Sequence, residues 1–281
     1  VENIGSSTAG LIDQPMEELF EGDGNVRTLD DGSTCLVLDV ASQRRAALIF
    51  FGVTEFDNVD WALAELFVRN ASVACEKLLT MQQIETTQQE FALRLGHVAE
   101  TRSNELKNHV RRMSLFSELF AGKLGMEERE VSNVKVASVL HDVGKIGIPD
   151  AILNKPGKLD ADEWEVMKTH AQFGADIFAG TNLPLLDMAG EIAAGHHEHW
   201  DGAGYPKGVK GENIPLAARI VAVADVFDAL INKRVYKDAW PEADVLAYFK
   251  ERSGTQFDPD VVDVLVSSFD EAMQINQKYP D

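Results

Sequence analysis

The chain has 281 residues, 45% hydrophobic and 26% charged, an ordinary globular composition with apolar material for one large or two modest domains. Its 26 basic and 46 acidic residues give a net charge of −20, which disfavours DNA, RNA and anionic membranes as partners. A small anionic ligand is compatible with that charge only where basic side chains converge. Cys35 and Cys75 are too few for a disulfide framework, so a reducing cytoplasm is expected.

The opening VENIGSSTAG has neither the basic region nor the apolar core of a signal peptide, and no uncharged apolar run reaches the ~18 residues of a membrane span. Because the chain starts at Val1 rather than Met, an upstream segment is expected. GNVRTLDDG, STCLVLDVAS and RRAALIFFGV carry β-branched and aromatic residues between the turn formers DDG and ASQ. This predicts a small antiparallel sheet over roughly 25–54.

No proline separates Pro15 from Pro149, and a long helix is predicted from an N-cap at Asp57 or Asn58. Within it Phe67, Ala71, Ala74, Leu78 and Met81 follow a 4-3-4-3 spacing, continued less well by Glu85 and Gln88. That seam suits a signalling helix that dimerises and joins two modules. A helix packed on its own sheet would carry the same pattern. Beyond about residue 100 the periodicity predicts helices at 103–122, 127–142, 160–180, 185–199, 215–232, 241–252 and 259–273. Pro215 and Pro241 fall where first-turn prolines are tolerated, and DGAGYPKGVKGEN at 201–213 is the one long loop.

The histidines carry the chemistry. Glu105 and His109 are four apart on one helix face, which alone describes a surface hydrogen bond. His170 shares an apolar stripe with Trp164, Met167, Gly174 and Ile177, as a satisfied core histidine would. Asp225 lies on a face with Ala218, Val221, Ala222 and Ala229, where a carboxylate needs a partner. The adjacent His141 and Asp142 end an apolar stretch, and His196-His197 precede Glu198. Jointly these groups read differently. Imidazoles and carboxylates make the mixed nitrogen–oxygen shell of iron, manganese or zinc, and helix bundles build multinuclear centres by turning such groups inward. Glu105, His109, His141, Asp142, His170, His196, His197 and Asp225 suffice for two or three divalent ions, with Asp142 bridging two. Lys145, one turn beyond the 141–142 pair, is placed to reach a phosphate held there; otherwise it is a solvated surface cation.

HDVGKIGIPDAILNKPGKL, the TH of MKTHAQFGADI, HHEHWDGAGYP and ADVFDALINKRVYKDAW resemble the HD-GYP phosphodiesterases, a branch of the HD metal-dependent phosphohydrolases, over about 101–270. His141-Asp142 matches the HD pair and Gly204-Tyr205-Pro206 the GYP triplet. Family ligand positions fall on His141, Asp142, His170, His196, His197 and Asp225, and Glu105 and His109 match positions that complete a trinuclear iron site in some members. Members often read ETGNH where this chain has ELKNH, which keeps both ligand types and their spacing but not the Thr-Gly. FDNVDWALAELFVRNASVACEKL resembles the GAF-related domain that precedes HD-GYP modules in some response regulators.

The resemblance implies an α+β chain: a partial GAF-like antiparallel sheet at 1–56, a connecting helix at 57–100 and an all-α HD-GYP bundle at 101–281. It implies catalysis by His141, Asp142 and Lys145, substrate contacts from Lys145, Tyr205, Arg234 and Lys237, and two or three divalent ions, iron before manganese. The implied reaction opens cyclic di-GMP to pGpG, GMP or both. Cyclic GMP-AMP is the alternative substrate, and a non-catalytic cyclic dinucleotide receptor is the alternative class. A homodimer through the connecting helix and an upstream receiver or sensor domain complete the expectations, with no nucleic-acid polymer and no membrane as partner.

Overall fold

The computed structural model describes the backbone of residues 26–28, 34–41, 44–50, 58–102, 108–233 and 239–280, and side chains at 36–37, 59–102, 108–233 and 239–280. Glu105, Arg234 and Lys237 lie outside the described residues. The chain divides into two units, Val1–Thr87 and Gln88–Asp281.

In the first unit β1 (Val26–Thr28), β2 (Thr34–Ala41) and β3 (Arg44–Phe50) pair antiparallel in the order β1-β2-β3. Leu36 stands opposite Val26 and Leu48, and the register shifts between Asp39 and Ala41. The helix α1 (Asn58–Glu100) begins in this unit. Val68 is fully buried there and packs with Ala64 and Ala71 against Leu36. Phe67, Leu78 and Met81 are instead 52%, 63% and 50% exposed. The 4-3-4-3 seam is therefore split, with Ala71 spent on the sheet and the larger members left to solvent. Among the described residues no helix is long and apolar enough to cross a membrane.

The described part of the second unit is helical. It contains α2 (His109–Lys123), α3 (Glu128–Ala137), α4 (Asp150–Leu153), α5 (Ala161–Phe178), α6 (Pro184–Gly195), α7 (Leu216–Ile231), α8 (Glu242–Arg252), α9 (Pro259–Ser267) and α10 (Phe269–Lys278). Its centre is α7, which is apolar nearly all round, as a helix covered on every side must be. Phe227 is fully buried, edge-on to Phe116 of α2 at 5.1 Å and Phe269 of α10 at 5.8 Å. The pairs α2–α3, α5–α6, α2–α7 and α6–α7 pack around that core.

Local chemistry fixes the helix starts. The Asp160 carboxylate accepts from the Glu163 backbone N–H at 2.9 Å while the Glu163 carboxylate accepts from the Asp160 N–H at 2.8 Å, a reciprocal box that opens α5. At α9 the Asp258 carboxylate accepts from the Asp260 N–H at 2.9 Å, a simple cap ahead of Pro259. Four helix bounds differ materially from the sequence expectation, three of them at the histidines. The helix expected from 103 opens only at His109, so it does not carry Glu105 and His109 on one face. The helix expected to run to 142 ends at Ala137 and tightens into a 3₁₀ turn at Ser138–Leu140, where the Ser138 hydroxyl donates to the Lys135 carbonyl at 3.0 Å. The helix expected to run to 199 ends at Gly195. The helix expected over 259–273 is two, parted at Ser268, whose hydroxyl donates to the Val264 carbonyl at 2.7 Å.

Candidate metal centre

Among the described residues, two clusters of ligand-type side chains lie in the second unit. Asp142, His170, His196 and His197 bring one ligand atom each within 4.8 Å of one another, and so do Glu100, His109 and His141. They come from the end of α1, the start of α2, the turn after α3, the middle of α5 and the residues just past α6. His141 and Asp142 sit between two 3₁₀ turns, Ser138–Leu140 and Val143–Gly147. That irregular backbone lets adjacent residues face one point, which a regular helix would splay by about 100°. Gly144 makes it possible: a Cβ there would lie 2.0 Å from the His170 carbonyl oxygen, so only glycine brings the turn this close to α5.

Each clustered imidazole in contact with its own helix or turn has Nδ1 tied to a carbonyl. His141 Nδ1 is 2.8 Å from the Ser138 oxygen, His170 Nδ1 2.7 Å from the Met167 oxygen, and His196 Nδ1 3.1 Å from the Ile192 and Ala193 oxygens. A carbonyl only accepts, so each Nδ1 carries a proton and Nε2 is the atom turned inward. Nε2 of His141, His170 and His196 and Oδ1 of Asp142 are buried without an aligned hydrogen-bond partner. Buried polar atoms are normally satisfied, and inward Nε2 atoms with tethered Nδ1–H groups are how histidines hold metals. The residues present fit a divalent metal.

Asp142 is the hub. Its Oδ1 is 3.2 Å from His170 Nε2 and 3.7 Å from His196 Nε2; its Oδ2 is 3.2 Å from His141 Nε2 and 2.7 Å from Lys145 Nζ. Burial would raise its pKa, but Lys145 and His141 outweigh that and hold the carboxyl well below its ordinary range. Burial likewise acts to lower His141, yet Asp142 raises it to about 10. His196 and His197 go the other way: burial lowers both, and the Asp142 charge does not restore them.

Of the other residues singled out from sequence, Asp225 Oδ1 is 3.8 Å from His109 Nε2 and lines a cleft with His196, His197 and His199. The Tyr205 ring stacks on His197 at 4.7 Å and meets Trp164 edge-on at 6.0 Å. Burial pushes the Tyr205 phenol up, so it stays a hydrogen-bond donor at neutral pH. Its loop is held by buried Glu198, whose carboxylate accepts from the Lys207 N–H at 2.8 Å and the Val209 N–H at 3.1 Å.

Sequence reasoning missed Glu100, Asp228 and Arg112. Glu100, 4% exposed, joins the His109–His141 cluster and lies 3.9 Å from Lys145. Asp228 and Arg112 are fully buried and paired, Arg112 Nε donating to Asp228 Oδ1 at 2.5 Å. A signal existed for Asp228: it continues the Ala217, Val221, Ala224 stripe of α7 by 4-3-4 steps.

A family model described as HD domain matches residues 95–261, more than half of the chain and all of the clustered ligands. The chain belongs to the HD-domain family. Among relatives of this HD domain, the 3′3′-cGAMP-specific phosphodiesterase 2 of Vibrio cholerae is 41% identical over 81% of this chain and 44% of its own length. The cyclic di-GMP phosphodiesterase response regulator RpfG of Xanthomonas campestris is 44% identical over 70% of this chain and 52% of its own. The HD-domain chain thus spans about half the length of these relatives. A crystal structure of a cyclic GMP-AMP-specific phosphodiesterase from V. cholerae, V-cGAP3, superposes with a TM-score of 0.51 at 20% identity over 69% of this chain and 54% of that one, which shows the shared fold.

Proposed function

We propose that this chain hydrolyses the phosphodiester bonds of a cyclic dinucleotide, cyclic di-GMP or cyclic GMP-AMP, at a centre of two or three divalent ions. The ligands are His109, His141, Asp142, His170, His196, His197 and Asp225, with Glu105 completing the set. The observation that carries the reading is the convergence of tethered imidazoles on Asp142, with Nε2 atoms of three of them buried and without an aligned partner. The same chemistry is named for relatives up to 44% identical. Imidazole with carboxylate suits iron, manganese or zinc, and the resemblance to the HD-GYP phosphodiesterases puts iron first.

When bound, such ions supply Lewis acidity toward phosphoryl oxygens and a water that ionises near neutral pH. The chain's own groups do the rest. Asp142 presents one oxygen to His170 and His196 and the other to His141, so one carboxylate serves both clusters. Lys145, 2.7 Å from Asp142, brings a cation to a protein otherwise repulsive to phosphate. Tyr205 offers a hydroxyl donor and an aromatic face beside His197. Arg234 and Lys237 hold non-bridging oxygens in this reading.

The layout is a GAF-like regulatory module at 1–56, a connecting helix at 57–100 and the HD-GYP domain at 101–281. Exposed Phe67, Leu78 and Met81 support a homodimer through α1, and a response regulator among the relatives supports an upstream receiver. A second-messenger substrate implies the cytoplasm. The test is anaerobic incubation of metal-replete protein with cyclic di-GMP and cyclic GMP-AMP, with products identified by mass spectrometry. Linear dinucleotide or mononucleotide is expected. Tight binding without turnover across Fe, Mn, Mg and Zn would instead make the chain a receptor.

A further inference from the structure

His109 is held differently from the other clustered histidines. His141, His170 and His196 each bond Nδ1 to a carbonyl three or four residues back, so their own helix or turn orients them. His109 opens α2 and has no preceding turn of that helix. Its Nδ1 lies 2.7 Å from Asp228 Oδ2, a residue 119 positions away on α7. Because that carboxylate accepts, Nδ1 is the donor and Nε2 is turned toward Asp225, 3.8 Å away, and toward the His141 ring, 5.6 Å away centre to centre.

Asp228 is committed to this task on both oxygens. Oδ1 accepts from Arg112 Nε at 2.5 Å and Asn232 Nδ2 at 3.1 Å; Oδ2 accepts from His109 and from Arg112 Nη2 at 3.1 Å. The guanidinium fork fixes the carboxylate plane and offsets its charge, so Asp228 orients an imidazole and is not itself a spare ligand. Arg112 is fixed in turn by its Nη1, which donates to the Tyr279 carbonyl at 2.9 Å. The same segment accepts from Asn108 Nδ2 at Pro280, 2.5 Å, and the Arg111 guanidinium lies 4.8 Å over the Tyr279 ring.

We propose, building on the metal-centre reading above, that Asp228 is the positioning residue for His109, and that the Tyr279–Pro280 segment acts as a latch that keeps Asp228 aligned through Arg112. The metal position shared by His109 and His141 then depends on tertiary packing between α2, α7 and the latch. The position around Asp142, His170, His196 and His197 depends on local turns. Loosening the latch weakens one metal equivalent and spares the others.

The test uses the whole 281-residue chain stripped of metal and reloaded with Mn(II) under anaerobic conditions, reading metal per chain by mass spectrometry and affinity by competition with a chelating dye. Asp228→Asn keeps the shape and removes the charge that fixes His109; it should weaken one equivalent about 10- to 100-fold, the usual scale for a partner behind a ligand, and leave the rest within twofold. Deletion of residues 279–281, which removes no proposed ligand, should weaken the same equivalent by less. Wild-type metal content and affinity in folded Asp228→Asn overturns the proposal, as does loss of all equivalents together. If circular dichroism shows Asp228→Asn unfolded, the deletion decides alone, and unchanged binding there overturns it. A wild type that takes up no metal defeats the metal-centre reading itself; a metal-binding wild type matched by its variants defeats only this inference.

Discussion

At the residue scale, burial acts to lower His141, His196 and His197 alike, but only at His141 does Asp142 outweigh it. In the metal-free chain burial opposes a charge on His141, but Asp142 raises its pKa from 6.5 to about 10. Its stabilising contribution is full below the ordinary 6.5 of the unfolded chain and is lost as pH rises through about 10. His196 and His197 are lowered by burial, so their contribution is present above the ordinary value and lost as pH falls. Near neutral pH the first ring is protonated and the other two are not. Metal binding at pH 7 should therefore release protons, that of His141 among them, measurable by calorimetry in buffers of different ionisation enthalpy. Uptake of protons, or no exchange, would contradict this assignment. His141→Ala or Asp142→Ala should lose both turnover and bound metal, whereas retained hydrolysis would remove these residues from the centre.

Single elements carry the next set of consequences. The loop from 205 to 209 hangs on the two oxygens of Glu198, with the Tyr205 N–H donating besides to the His197 carbonyl at 3.1 Å. Glu198→Gln turns one of them into a donor facing a backbone N–H, a loss worth about 1–3 kcal/mol when buried. The substrate contact proposed for Tyr205 should suffer first, with KM rising about tenfold and kcat changing less. An equal fall in kcat at constant KM would mean the loop acts on chemistry instead. On α7, Phe227 joins three neighbouring rings of α2, α8 and α10. Phe227→Ala should cost about 3–5 kcal/mol in denaturant unfolding, because the packed rings cannot collapse into the space left.

For the whole molecule, the division at residues 87 and 88 has a measurable meaning. The large core cluster runs from Ala92 to Ala272, entirely inside the second unit, while Leu36 and Val68 form a separate small cluster in the first. A fragment of residues 88–281 should fold cooperatively and bind the same metal equivalents as the full chain. A fragment that melts without a transition would show that the first unit supplies stability the clusters do not reveal.

How much of this could be read in advance follows from the range of the interactions. The helical nature of the second unit, helix starts near residues 160 and 259 and the candidate ligand types were legible because periodicity and motifs are local properties. The helix ends at Ala137 and Gly195 were not, because side-chain and packing contacts there overrode a periodic pattern that continued past them. Nor were Glu100 and Arg112, ordinary charged residues in the sequence whose burial appears only in the folded chain, while Asp228 left only its place on the α7 stripe as a sign. The amino-acid order by itself determined which groups were available and roughly which stretches of the chain carry them. Only the tertiary structure decided which nitrogen of each imidazole faces inward, since that depends on an acceptor supplied by a neighbouring turn or, for His109, by a carboxylate far along the chain.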